Sequence, residues 1–181
     1  MKIVCYGDSN TFGYDPSSLF GEAYASGSTW TDRLGSLSGW EIVNEGVNGR
    51  EVPDEPVTFL PDAEWILIML GTNNLLQFWS PGETAEKMKV FLHSVEYDRE
   101  RIILIAPPAM SFGAWVEDQE LIDDSVKLAE EFRVVAEEMN IKFIDASRWG
   151  IPMAFDGVHF TMEGHHEFAE RLYQVVSKIE K

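Results

Sequence analysis

A chain of 181 residues, 45% hydrophobic and 25% charged, has the length and make-up of one soluble globular domain with a sizeable core. Its 31 acidic residues against 14 basic ones give a formal charge of −17, which repels phosphate backbones and argues against a nucleic-acid surface. The single cysteine excludes an internal disulfide and cysteine-based zinc sites, and no run approaches the roughly 20 apolar residues of a membrane helix.

The first strand is predicted in "MKIVCYG", with Cys5 as a small buried hydrophobe inside it. This start lacks the long apolar region and cleavage site of a secretory signal, so it reads as mature sequence and implies a cytoplasmic location. The strand stops at Gly7-Asp8-Ser9-Asn10, with Gly13 close behind. Two readings fit. Asp8 or Ser9 caps a helix, or Ser9 is a nucleophile at the carboxyl end of a strand.

A short helix is expected near Trp30 to Leu37, then a strand in "WEIVNEG" leading into "NEGVNGRE". The run "EWILIML" predicts a third strand, followed by "GTNN", and Gly82 to Val95 carries a helical pattern. "RIILIA" predicts the fourth strand, ending in "APPAM". From Asp118 to Asn140, Leu121, Ile122, Val126, Ala129, Phe132, Val135, Ala136 and Met139 form one apolar helical face. "IKFIDAS" predicts the fifth strand, and a last helix starts at the N-cap Thr161 and runs through Ile179.

The strand runs are mostly continuous rather than alternating, as in parallel strands covered on both faces. Strands alternating with helices predict an α/β fold, a three-layer α/β/α sandwich around a five-stranded parallel sheet. No linker or repeat divides residues 1–181, so a single domain is expected. In such sheets ligands sit outside the carboxyl ends of the strands, where the Ser, Gly, Asn and Asp/His loops all fall.

Ester hydrolysis by a serine needs a nucleophile, a base, a group that orients the base, and donors for the oxyanion. Ser9 is the candidate nucleophile. His93, His165 and His166 fall within predicted helices, whereas His159 sits in the loop "FDGVHF", three residues after Asp156. A turn through Gly157 would let Asp156 accept from one ring nitrogen and leave the other for the serine proton; an Asx turn capping the last helix fits the same residues. The glycines of "NEGVNGRE" and the amides of "GTNN" could donate to an oxyanion, or could be turn and cap residues.

Four such loops in chain order resemble the SGNH (GDSL-type) hydrolases over nearly the whole chain. Gly7-Asp8-Ser9-Asn10 looks like the first block and Asn44 to Gly49 like the second; Gly71-Thr72-Asn73-Asn74 looks like the third and Asp156 to His159 like the last. The resemblance implies a flavodoxin-like fold. Ser9 would be the nucleophile, Asp156 and His159 would complete a catalytic triad, and Ser9 N–H, Gly49 N–H and the Asn73 side chain would form the oxyanion hole. "GDSNTFGYD" is most similar to the arylesterase and acetylesterase branch, some members of which also transfer acyl groups. Asn10 stands where the family's eponymous motif has leucine, and Asn74 stands where aspartate is usual.

The reading that results is a serine esterase acting on short-chain esters of small alcohols, phenols or sugars, with a small-molecule substrate and no metal or organic cofactor. Phe12, Trp79 and Trp115 are the candidate substrate-binding residues, with Tyr14 and Trp30 as further possible walls; each could instead pack helices onto the sheet. Arg50 is expected to pair with a surface carboxylate. The resemblance also implies a homo-oligomer. Competing readings are a non-catalytic carbohydrate-binding module, a lysophospholipase- or thioesterase-type acylhydrolase, and a nucleotide-binding domain. The last lacks both G-x-x-x-x-G-K-[ST] and a G-x-G-x-x-G after the first strand.

Overall fold

The computed structural model describes residues 1–179. Strands β1 (Lys2–Gly7), β2 (Glu41–Gly46), β3 (Trp65–Met69), β4 (Ile102–Ala106) and β5 (Lys142–Asp145) form one parallel sheet in the order β2-β1-β3-β4-β5. This order reverses direction between β1 and β3. The loops leaving those two strands therefore diverge and open a crevice at their carboxyl ends. The Ser9 turn follows β1 and the Asn73 turn follows β3, so topology alone brings them to the same rim.

Side chains along each strand alternate between two cores. Val4, Ile66, Ile68, Ile102 and Leu104 meet helices α4 (Pro81–Ser94) and α5 (Gln119–Met139) through Met88, Phe91, Leu128 and Phe132. Ile3, Cys5, Leu67, Ile103 and Ile105 meet α2 (Trp30–Ser38) and α6 (Met162–Ile179) through Trp30, Leu34, Phe168 and Leu172. Burial on both faces holds for β1, β3 and β4. It does not hold for β2, where Glu41 and Asn44 are exposed, because an edge strand has a neighbour on one flank only.

Local chemistry sets the helix ends. Ser80 and Glu83 form a reciprocal capping box ahead of Pro81, so α4 begins one residue before the expected Gly82. Asn140 closes α5 in the left-handed region at φ 55°, donating its N–H to Ala136 O. Thr161 Oγ1 accepts from Gly164 N at 3.0 Å at the start of α6. The capped helix that one reading of the serine turn expects is the single-turn α1 (Ser9–Phe12) after β1; a second single-turn helix, α3 (Thr72–Leu76) after β3, was not anticipated. Among the described residues no helix is long and apolar enough to cross a membrane.

Candidate active site

Ser9 is the first residue of α1, and Asp8 caps it by accepting from Asn10 N at 2.9 Å. Capping and presentation of the serine are thus one arrangement rather than alternatives. The helix lies hard against the sheet end: a Cβ on Gly46 would come within 2.0 Å of Phe12 N, so only glycine lets β2 end there. Burial pushes the Asp8 carboxyl up to about 6, against the opposing pull of the Asn10 N–H and the charge of His159.

His159 comes from the loop before α6, and the loop's fold is dictated by Asp156. Its Oδ1 accepts from Val158 N at 2.9 Å and His159 N at 3.0 Å, while its Oδ2 accepts from the His159 ring at Nδ1, 2.7 Å away. One oxygen makes the Asx turn and the other orients the ring. Gly157 sits at φ 82°, where a Cβ would meet Ser111 O at 2.1 Å, so the turn requires glycine. With Nδ1–H donating to the carboxylate, the Nε2 lone pair faces Ser9, whose hydroxyl donates across 3.0 Å. Ser9, Asp156 and His159 are all buried. Burial disfavours the Asp156 carboxylate, but bonds from the His159 ring and from two backbone N–H groups outweigh it and hold the carboxyl below its usual range.

The segment 111–116 backs this loop. Ser111 N donates to Gly157 O, Ala114 N to Phe155 O and Trp115 N to Asp156 O, at 2.9–3.0 Å. Two aromatic rings flank the imidazole: Tyr14 with its centroid at 4.6 Å and Trp115, edge-on, at 5.3 Å.

Gly49 and Asn73 belong to a loop and helix that brace each other. Gly49 is exposed, in the left-handed region at φ 72°. Asn73 Nδ2 donates to Arg50 O at 3.0 Å, and Asn74 Oδ1 accepts from Val52 N at 3.0 Å while its Nδ2 donates to Glu51 Oε2 at 3.1 Å. Asn74 therefore supports the Gly49 loop as a neutral amide; an aspartate there would face the Glu51 carboxylate. Arg50 does not pair with a surface carboxylate as expected. Its guanidinium donates to the carbonyls of Gly7, which also accepts from Val47 N at 3.1 Å, and Glu45, and it lies 4.1 Å over the Tyr6 ring.

The GDSL-like lipase/acylhydrolase family matches residues 5–167, a segment that spans the serine turn, both asparagines and the histidine loop. The chain belongs to this family. Its fold is that of solved esterases. The M. smegmatis aryl esterase superposes with a TM-score of 0.81 at 20% identity, over 98% of this chain and 99% of that one. A carbohydrate acetylesterase from Sinorhizobium meliloti gives 0.81 at 21%, over 98% and 99%. A lipase/acylhydrolase from Enterococcus faecalis gives 0.74 at 22%, over 98% and 95%. No curated protein matches the sequence.

In this member of the acylhydrolase family a groove of about 580 Å³ is lined by Leu75, Phe78, Trp79, Trp115 and Leu121 among others; neither Ser9 nor His159 lines it, and Trp115 links it to the imidazole. Trp115, 55% exposed, forms both a groove wall and the edge-on neighbour of His159. Trp79 lines the groove, with Lys87 Nζ 4.8 Å over its ring. Phe12 is half-buried at the end of α1 and is not among the groove's lining residues. Trp30 is a core residue, with Nε1 donating to Asn10 O and its ring edge-on to Phe168. His93 is exposed, whereas His165 is buried and accepts from Trp30 N at Nδ1. Among the described residues no three His, Cys, Asp or Glu side chains group as a metal site.

Proposed function

We propose that the chain is a serine esterase that cleaves short-chain carboxylic esters through an acyl-enzyme on Ser9. The unbroken buried chain of hydrogen bonds from Ser9 Oγ through His159 to Asp156 carries this reading. His159 Nε2 takes the hydroxyl proton as Ser9 Oγ bonds to the carbonyl carbon, and the carbonyl electron pair moves onto oxygen. Collapse of the tetrahedral intermediate breaks the C–O bond to the alcohol, which leaves with the proton from Nε2. Water then repeats the sequence on the acyl-enzyme and releases the acid.

The Asn73 amide nitrogen carries two hydrogens. One is held by Arg50 O, and the other remains for the oxyanion, together with the N–H groups of Ser9 and Gly49. The groove supports a small, neutral or cationic substrate. Its aromatic walls suit the face of an aryl group or a sugar ring, and Glu117, Asp118 and Glu120 on its rim repel anions. The esterase neighbours, named for aryl esters and carbohydrate acetates, agree with this substrate class.

Initial rates on p-nitrophenyl esters from acetate to octanoate, alongside an acetylated sugar, test the assignment. The expected kcat/KM peaks at acetate or butyrate and falls at least tenfold by octanoate. A maximum at octanoate would replace this reading with the long-chain acylhydrolase one.

A further inference from the structure

Asn10 follows the serine, and its main chain is fixed locally: N–H donates to Asp8 Oδ1 and the carbonyl accepts from Trp30 Nε1, both at 2.9 Å. Its side chain reaches across the molecule. Nδ2 donates to Val158 O at 3.0 Å, and Oδ1 accepts from Phe160 N at 2.9 Å. Val158 and Phe160 are the two neighbours of His159, and all of these groups are buried. One planar amide thus holds the backbone on both sides of the imidazole, as a neighbouring strand would.

We infer that Asn10 is a positioning residue that sets the Ser9–His159 distance by clamping the histidine loop to the serine helix on both sides of His159. The inference rests on the esterase reading above. Ser9 and His159 are 150 positions apart in sequence and meet through one 3.0 Å contact. Asp156 fixes the tautomer and rotation of the ring, but it belongs to the same loop, so it cannot fix that loop against α1. Tyr24 Oη also reaches the loop, donating to Phe160 O at 3.3 Å, but from a residue outside α1. Displacement of a reacting group by about 1 Å costs on the order of 100-fold in rate. Leucine at position 10 would offer neither the donor nor the acceptor. A carboxylate would keep the acceptor for Phe160 N–H and set a negative oxygen against Val158 O.

The test uses Asn10→Leu and Asn10→Asp at a temperature where circular dichroism shows each fully folded. Two rates are read: p-nitrophenyl acetate turnover, and labelling of Ser9 by a small fluorophosphonate, which loses fluoride as Ser9 Oγ bonds to phosphorus. Asn10→Leu is expected to lower kcat and the labelling rate by about 10- to 100-fold, with KM within about twofold of wild type. Asn10→Asp is expected to be similarly impaired at pH 8. It should recover relative to wild type as pH falls toward 5.5, because the protonated carboxyl again donates to Val158 O while accepting from Phe160 N–H. A purely structural role leaves that ratio independent of pH. If Asn10→Leu does not fold, the pH dependence of the Asn10→Asp ratio decides alone.

A ratio flat with pH, or variant rates within twofold of wild type at pH 8, overturns the clamp and leaves the esterase reading standing. Wild type with no Ser9-dependent turnover or labelling overturns both.

Discussion

Asp156→Asn is expected to lower kcat for p-nitrophenyl acetate by about 10⁴-fold while leaving the protein folded, the size of loss seen when this exchange is made in a Ser-His-Asp triad. The geometry gives the reason. Oδ1 of residue 156 accepts from two backbone N–H groups, so an asparagine must keep its oxygen there to hold the turn. Its NH₂ is then forced into the place of Oδ2, facing His159 Nδ1. The ring can accept that bond only by carrying its proton on Nε2, which directs an N–H rather than a lone pair at Ser9. The variant keeps a histidine in place but in the wrong tautomer. Steady-state kinetics with circular dichroism as the folding control check this, and a loss smaller than tenfold would contradict the role given to Asp156.

The largest expected effect on stability lies away from the serine. His165 is buried between Tyr24 and Phe160, with Trp30 N–H donating to its Nδ1 and with Nε2 lacking a hydrogen-bond partner. Burial, reinforced by the charges of His166 and His159 and opposed by Asp32, drives its pKa down from 6.5 to about 3. Between those values the unfolded chain binds more protons than the folded one. Stability is therefore intact above pH 6.5 and is lost as pH falls toward 3, by as much as about 5 kcal/mol. Asp8 contributes the opposite slope: with its pKa raised to about 6, the folded state holds the extra proton and loses stability as pH rises from about 4 to 6.

His165→Asn isolates the first effect, since an amide oxygen can still accept from Trp30 N–H and does not titrate, while Asp8 is common to both proteins. Urea unfolding at pH 7.5 and 4.5 should show the variant less stable at neutral pH, with the gap to wild type narrowing by about 3 kcal/mol at the lower pH. An equal gap at both values would contradict the account of His165.

The fold was legible because its signals are local. Uninterrupted apolar runs at Ile66–Met69 and Ile102–Ala106 mark strands covered on both faces, and the pattern through Leu128, Phe132 and Val135 marks a helix covered on one. Ser9 and the Asp156–His159 pair were legible because a lone serine turn and a loop histidine stand out once strand ends are known. Helix α1 was legible only through its cap residue Asp8, and the single-turn helix α3 was not, because five residues give no periodicity. Nor was the work of Arg50 and Asn10. Arg50 binds carbonyls that exist only where β1 and β2 end side by side, and the side-chain partners of Asn10 lie 148 and 150 positions away. Trp30 shows the converse limit: an aromatic near a motif has no sequence mark that tells a core wall from a groove wall.

The measurement that bears most directly on the central claim is p-nitrophenyl acetate hydrolysis by wild type and Ser9→Ala side by side, with the Ser9 peptide of a rapidly quenched wild-type sample weighed for an acetyl group. The account predicts acetylated Ser9 in the wild type and, in Ser9→Ala, turnover reduced by about 10⁴-fold or more. Equal rates in the two proteins would contradict it.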